Sequence, residues 1–312
     1  MLGSHIISLG GASLADHIQP FRIEKVNLLG RMVRTETVFT KVLGLRPYPA
    51  PVAHLLGEAL CLSALLAATL KYEGKFTLQA QGDGPIRMLV VDMGSDGGMR
   101  AHIRFDEEAF GRGEMMDGTI ARLFGGGHLA FTVDQGPDTE RYQGITELSG
   151  VSLADCAHAY FRQSEQLQTA IKLGAAVTGG DGTAGRAAGL MIQRLPDDEE
   201  EIYRSSEDEE NWRKSVILMS SLSDEELLDP ALDINTILYR LFHEDGVRVY
   251  DPRPLAFSCS CSRQKVIRTL TAFPRDELAD MWTEDGNIVA TCEFCQSDYV
   301  FSDDDLAQSM PA

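Results

Sequence analysis

The sequence predicts an α+β protein. It reads as an N-terminal domain with a largely antiparallel sheet and packed helices, a helical metastable linker, and a small C-terminal domain organised by cysteines. Three observations carry this reading. Strand-like runs joined by glycine turns gather in one block with helical runs around them, a pattern of antiparallel α+β layering rather than alternating βαβ units. A dense acidic run then breaks the chain and leads into a highly amphipathic stretch. Four of the six cysteines stand near the end, in "CSC" and "CEFC".

Taken in order, "RMVRTETVFTKVL" (Arg31 to Leu43) alternates apolar and polar residues and reads as a strand. "PVAHLLGEALCLSALLAATLKY" repeats apolar residues at helical spacing. Its apolar stretch from Val52 to Leu70 is broken by His54 and Glu58. It reads as too short and too polar for a membrane span, and so as a buried helix. "KFTLQAQGDGPIRMLVVDMGSDGGMRAHIRF" supplies two or three strands that turn at Gly82, Gly84 and Gly97-Gly98. Leu129 to Val133 adds another, entered through Gly125 to Gly127. "SLADCAHAYFRQSEQLQTAIKL" returns to helical spacing, with Ser152 as its N-cap.

These elements make up the core domain, residues 1–180. Residues 181–250 form the linker. Within it, Asp197 to Glu210 holds nine acidic residues against one Arg, most simply a solvated boundary. The following segment is rich in large apolar residues, among them Trp212, Met219, Leu227, Ile237, Leu238 and Phe242. Ser223 followed by Glu226 is a capping box that starts a helix near Asp224. Pro230, Asp233 and Asn235 interrupt the segment, so it reads as ordered only while docked on a neighbour. Residues 251–312 hold a short helix after Ser262, another in "PRDELADMW" begun at Pro274, and a hairpin in "NIVATCEFCQSDYVF". A unit of this size is marginal by core burial alone and needs a staple.

Charge narrows the function. With 28 Lys and Arg against 47 Asp and Glu, the formal net charge is -19. That argues against nucleic acid as the main partner, because phosphate binding needs a basic face. The first twenty residues lack a cationic n-region and a long apolar core, so no signal peptide is read and a cytoplasmic location is expected. In a reducing compartment, paired cysteines point to metal or redox chemistry more than to structural disulfides.

Cys259, Cys261, Cys292 and Cys295 form two close pairs separated by a loop with its own secondary structure, a pattern suited to one tetrahedral Zn2+ per chain. Four thiolates on Zn2+ leave a charge of about -2, which backbone N–H groups and Arg263, Lys265 or Arg268 are expected to offset. Such binding supplies on the order of 10–16 kcal/mol to a small domain. A structural zinc finger is the plain reading. An all-cysteine site is nevertheless open to oxidation, and each pair is spaced so that it could close its own disulfide, CxxC comfortably and CxC with more strain. The cluster is thus both a staple and a possible fuse. Cys61 and Cys156 lie on apolar helical faces and read as inert core residues.

The residues match a known family at this point. "CSCS" with "TCEFC" and the following Tyr299 and Phe301 resembles the zinc module of the 33-kDa heat-shock chaperonins, the redox-regulated holdase chaperones of bacteria. "GDGPIR" (Gly82 to Arg87), "YQGI" (Tyr142 to Ile145), "YFRQSEQL" (Tyr160 to Leu167), "AAGLMIQRLP" (Ala187 to Pro196) and "LFHEDGVRVYDP" (Leu241 to Pro252) resemble further landmarks of that family in the same order. Gln168 departs from the pattern, standing where a proline is expected. The resemblance implies an ATP-independent, non-enzymatic chaperone, largely inactive while the four cysteines hold zinc. Oxidation would pair Cys259 with Cys261 and Cys292 with Cys295, release zinc and unfold the linker. Unfolding client proteins would then be bound by a form that tends to homodimerise, without nucleic-acid or membrane partners.

Two rivals stand beside it: a constitutive zinc-stapled protein-interaction protein and a thiol-disulfide oxidoreductase. Oxidoreductases usually carry CxxC at a helix N-terminus after a strand, whereas this one lies inside a hairpin. The glycine clusters lack both the phosphate-loop ending and dinucleotide spacing. His54, His158 and His243 read as packed or surface residues.

Overall fold

The computed structural model describes residues 16–111, 118–136, 139, 141–165, 167–178, 182–194, 206–274 and 276–309. The first strands, β1 (His17–Ile23) and β2 (Leu28–Thr35), alternate buried and partly exposed residues, and each buries apolar side chains on both faces. The strand expected over 31–43 ends at Thr35, and α1 (Thr37–Leu43) takes over. Its cause is distant in sequence: the Asp16 carboxylate accepts from the N–H groups of Glu36, Thr37 and Val38 at 2.8, 2.9 and 2.6 Å. These are donors that a helix start leaves unpaired.

α2 (Ala50–Ala67) follows. By length and mean hydropathy, 1.6, it meets the requirement for a membrane span, so the expectation that it is too polar does not hold; 78% of it is buried inside the protein, as a core helix requires. The expected strands are β3 (Lys75–Gly82), β4 (Ile86–Gly94) and β5 (Gly98–Phe105), and two short helices follow, α3 (Glu107–Gly111) and α4 (Ile120–Phe124). β6 (Gly127–Asp134) contains the predicted Leu129 to Val133, and β7 (Tyr142–Glu147) pairs beside it. Ser152 caps α5 (Leu153–Tyr160) in a reciprocal box with Asp155. The helical pattern ends in a π-helical turn over Phe161–Glu165, after which "TAIKL" is not helix but the start of β8 (Thr169–Thr178), antiparallel to β9 (Ala184–Arg194). The "YQGI" and "YFRQSEQL" stretches meet through Tyr142 and Tyr160, whose hydroxyls lie 2.7 Å apart.

Two six-stranded sheets result. The first runs β8, β9, β2, β1 and β10 (Val247–Val249), with β11 (Arg253–Pro254) also on β1; the second runs β7, β6, β3, β4, β5 and β12 (Ala256–Phe257). Only β12 on β5 is parallel among these pairs. One face of each sheet joins α1, α2 and α5 in a single apolar core containing Val33, Met191, Leu60, Leu78 and Phe131. Alternation sends Phe21, Met32, Leu190 and Ile192 to the opposite face of the first sheet.

That face is covered by α6 (Ser206–Ser221), α7 (Asp224–Leu228) and α8 (Ile234–Phe242). Met219, Leu222, Leu227, Ile234, Ile237, Leu238 and Phe242 are the buried contributors, and the Phe21 and Phe242 rings stack at 6.0 Å. The Ser223–Glu226 capping box starts α7 as predicted. Arg34 clamps the segment by donating to the carbonyls of Leu232 (2.7 Å) and Leu227 (3.2 Å). Most of the acidic run, Asp197 to Ser205, lies outside the described residues; the rest opens α6.

From α8 the chain becomes a strap. It pairs with β1 through β10 and β11, then crosses to β5 through β12. Gly97, at φ +87°, makes this crossing possible: a Cβ there would stand 2.3 Å from the Pro254 carbonyl oxygen. The C-terminal module then comprises α9 (Arg263–Leu270), capped by Ser262, the hairpin β13 (Asn287–Thr291) and β14 (Asp298–Ser302), and α10 (Asp303–Ser309). The helix expected in "PRDELADMW" is instead a run of turns ending in a 3-10 turn at Ala279–Met281. Leu270, Leu278, Ile288, Phe301 and Leu306 form the module's small core.

Candidate metal centre and its docking surface

Two short pieces of backbone bring the cysteines together. Cys259 and Cys261 follow β12 outside any helix or strand, just after Ser258 N–H donates to the Met99 carbonyl at 2.8 Å. Cys292 and Cys295 sit in the turn of the β13–β14 hairpin. Gln296 closes that turn at φ +58°, its N–H donating to the Cys292 carbonyl at 2.8 Å. All six cysteines are free thiols.

The four sulfurs lie within 4.8 Å of one another. Cys259 and Cys292 approach to 3.8 Å, Cys261 and Cys295 to 3.4 Å. Tetrahedral thiolates on Zn2+ at about 2.3 Å would space their sulfurs by about 3.8 Å, so the donor set fits a metal of that kind. The Tyr299 hydroxyl donates to Cys261 Sγ at 3.1 Å. Burial, followed by the neighbouring thiols, pushes the Cys261 thiol up to about 12 despite that bond. At Cys295 burial also raises the pKa, but the Ser297 hydroxyl and backbone together with the other thiols outweigh it, and the group falls to about 7. Cys61 and Cys156, by contrast, are buried thiols raised to about 12 and about 11 by desolvation.

The expected charge partners are placed differently. Arg263 pairs with Asp305 at 2.9 Å and lies over the Phe301 ring, Lys265 reaches the Ser260 carbonyl at 2.6 Å, and Arg268 is exposed on α9. The cation that touches a cysteine comes from the core: Arg100 on β5 donates from Nη1 to Cys259 Sγ at 3.4 Å. Sequence reasoning missed it because 159 positions separate the two residues. The one local signal was the alternation of Arg100, His102 and Arg104 on a single strand face.

The residues weighed for enzymatic roles are packed or on the surface. His158 Nε2 accepts from the Ile171 N–H at 2.8 Å, and His243 Nδ1 lies 3.0 Å from the Tyr239 carbonyl. His54 is exposed. The two glycine clusters pack on each other, with Gly126 N–H donating to Asp83 Oδ1 at 2.8 Å.

Comparison with known proteins gives a consistent result. The family model described as "Hsp33 protein" matches residues 16–302. A "33 kDa chaperonin" of Caulobacter vibrioides is 42% identical over 291 residues, covering 92% of this chain and 94% of that protein. One from Pseudomonas paraeruginosa is 40% identical over 297 residues, covering 95% of each. The crystal structure of a 33 kDa chaperonin from Thermotoga maritima shares the fold, with a TM-score of 0.74 at 22% identity over 94% of this chain and 97% of that one. A family model over nearly the whole chain and relatives at 40–42% identity that are named chaperonins support a chaperone function. The chain belongs to the Hsp33 family.

Proposed function

We propose that this protein is a redox-regulated, ATP-independent holdase. The observation that carries the reading is the four-sulfur cluster at the end of the strap that continues from the covering helices α6 to α8. Cys259, Cys261, Cys292 and Cys295 hold one Zn2+ in the reduced protein. A bound Zn2+ supplies a cross-link between the two cysteine pairs, which the module's core of five buried side chains needs as a staple.

Oxidation converts the donors into Cys259–Cys261 and Cys292–Cys295 disulfides. Each disulfide forms as two thiolates give up two electrons to one peroxide, which takes two protons and leaves as two waters. With its thiolates paired, the chain no longer offers a ligand set. Residues 251–312 then lose their staple, and the strap loosens from β5 and β1. Within 181–250 the switching part is α6 to α8, because β9 is hydrogen-bonded into the first sheet on both sides. Their departure uncovers Phe21, Met32, Leu190 and Ile192 on the 1–180 core and its adjoining strand, together with the apolar side of α8, as a surface for unfolding clients. The oxidised form is a homodimer, and the setting is cytoplasmic.

The test uses reduced, zinc-loaded protein treated with peroxide at mildly raised temperature without ATP. Zinc release and suppression of a client's aggregation are followed on one sample. Concerted appearance of both supports the switch. Equal activity before and after oxidation would leave a constitutive zinc-stapled interaction protein, and turnover of insulin disulfides would favour the oxidoreductase. Salt-sensitive binding of nucleic acid is expected to be absent.

A further inference from the structure

Arg100, His102 and Arg104 alternate along β5 and so project from one face of the second sheet. All three meet the turn that carries the CxxC. Arg104 Nη2 lies 3.3 Å from Glu293 Oε1, and His102 Nδ1 lies 3.1 Å from the Glu293 carbonyl oxygen, with Nε2 3.5 Å from Glu293 Oε2. The Arg100 guanidinium carbon stands 3.9 Å from the centre of the Phe294 ring while Nη1 reaches Cys259 Sγ. One side chain therefore touches Cys259 of the first cysteine pair and Phe294, which lies between the two cysteines of the second.

Arg100 is held before the module arrives. Asp92, 5% exposed on the neighbouring strand, accepts from its Nε and Nη2 at 2.9 and 2.6 Å. Asp92 is itself fixed by the Thr77 hydroxyl at 2.7 Å. A paired, stacked guanidinium of this kind is a preorganised receptor, and a planar fork suits it better than a flexible ammonium would.

We infer that Arg100 is a positioning residue that latches the cysteine module to the core sheet, and that the Cys259 thiolate is the charge it reads. The inference rests on the proposed reading of the four cysteines as an oxidisable ligand set. A thiolate accepts a charge-assisted hydrogen bond from a guanidinium; a disulfide sulfur carries no such charge. Formation of the Cys259–Cys261 bond thus removes the electrostatic half of the latch at the step that removes the metal donors. Arg100 keeps its Asp92 partner, so the core sheet loses nothing while the module is set free.

The test compares reduced, zinc-loaded full-length wild type with Arg100→Gln, Arg100→Lys and Phe294→Ala. Amide hydrogen exchange is measured over 256–261 and 292–296, zinc content by chelator titration, and zinc release at a fixed peroxide concentration. Arg100→Gln and Phe294→Ala are expected to retain one zinc per chain, to exchange roughly tenfold faster in both segments, and to release zinc faster under peroxide. Arg100→Lys should fall between, keeping the charge and losing the stack. Unchanged exchange in both Arg100→Gln and Phe294→Ala overturns the latch. So does zinc loss from Arg100→Gln before any oxidant, which would make Arg100 a support of the ligand set alone. Since the exchange is read in reduced protein without client, failure of the holdase reading in wild type would leave this result standing.

Discussion

Glu58 is a carboxylate inside the core helix, and burial, with Asp224 of α7 adding to it, raises its pKa to about 7. Asp224 itself pairs with Lys172 of β8 at 2.9 Å. A carboxyl whose folded pKa lies above its unfolded value binds its proton more tightly in the native state. Its stabilising contribution is full below about pH 4.5 and is lost as pH rises through about 7. Urea unfolding from pH 4.5 to 8 should show this decline, and Glu58→Gln should flatten it. At the same scale, the four cysteines were legible because ligand chemistry follows residue type and spacing. Arg100 was not, because its role depends on β5 meeting a module far along the chain.

For single elements, local pattern succeeded where local interactions decide. The N-cap at Ser152, the capping box at Ser223 and the helix after Ser262 all formed where the sequence placed them. It failed where a distant group intervened. Thr37 to Leu43 is rich in β-branched residues and reads as strand, yet the Asp16 carboxylate supplies the helix start from outside the segment. The continuation of α5 into "TAIKL" was overridden by pairing with β9, which places Ala170 and Ile171 in the buried part of the sheet. The covering helices depend on docking in the same way. Phe242→Ala removes a fully buried ring facing Phe21, and should cost about 3–5 kcal/mol of linker docking. Limited proteolysis of the reduced protein should then cut within α6 to α8. Arg34→Ala orphans the Leu227 and Leu232 carbonyls, and should shift the same digestion by a smaller amount, on the order of 1–3 kcal/mol.

Across the whole molecule, three apolar clusters of unequal size set an order of loss. The two tryptophans report on the two smaller ones: Trp212 packs on the cluster under α6 to α8, and Trp282 on the cysteine module. Zinc removal from reduced protein with a strong chelator should change Trp282 emission, read in a Trp212→Phe variant, at temperatures where the core sheets keep their far-UV signal. Trp212 should respond only on further warming. Simultaneous loss of both signals with the core would show a single cooperative unit instead.

The strap has a kinetic consequence. Among the described strand pairs, β10 and β11 close the widest loops, since they pair residues 247–254 with β1 at the start of the first sheet. Wide closures form slowly, after nearer strands have found one another. During synthesis these segments also emerge after every other strand of the two large sheets. Every newly made molecule thus passes through an interval in which the sheets exist and their apolar face is still bare. Refolding should be biphasic, with a transient that binds a hydrophobic dye and disappears as β10 to β12 dock, and free zinc should shorten that slow phase. The state reached by oxidation would then be one the chain has already visited on its way to being folded.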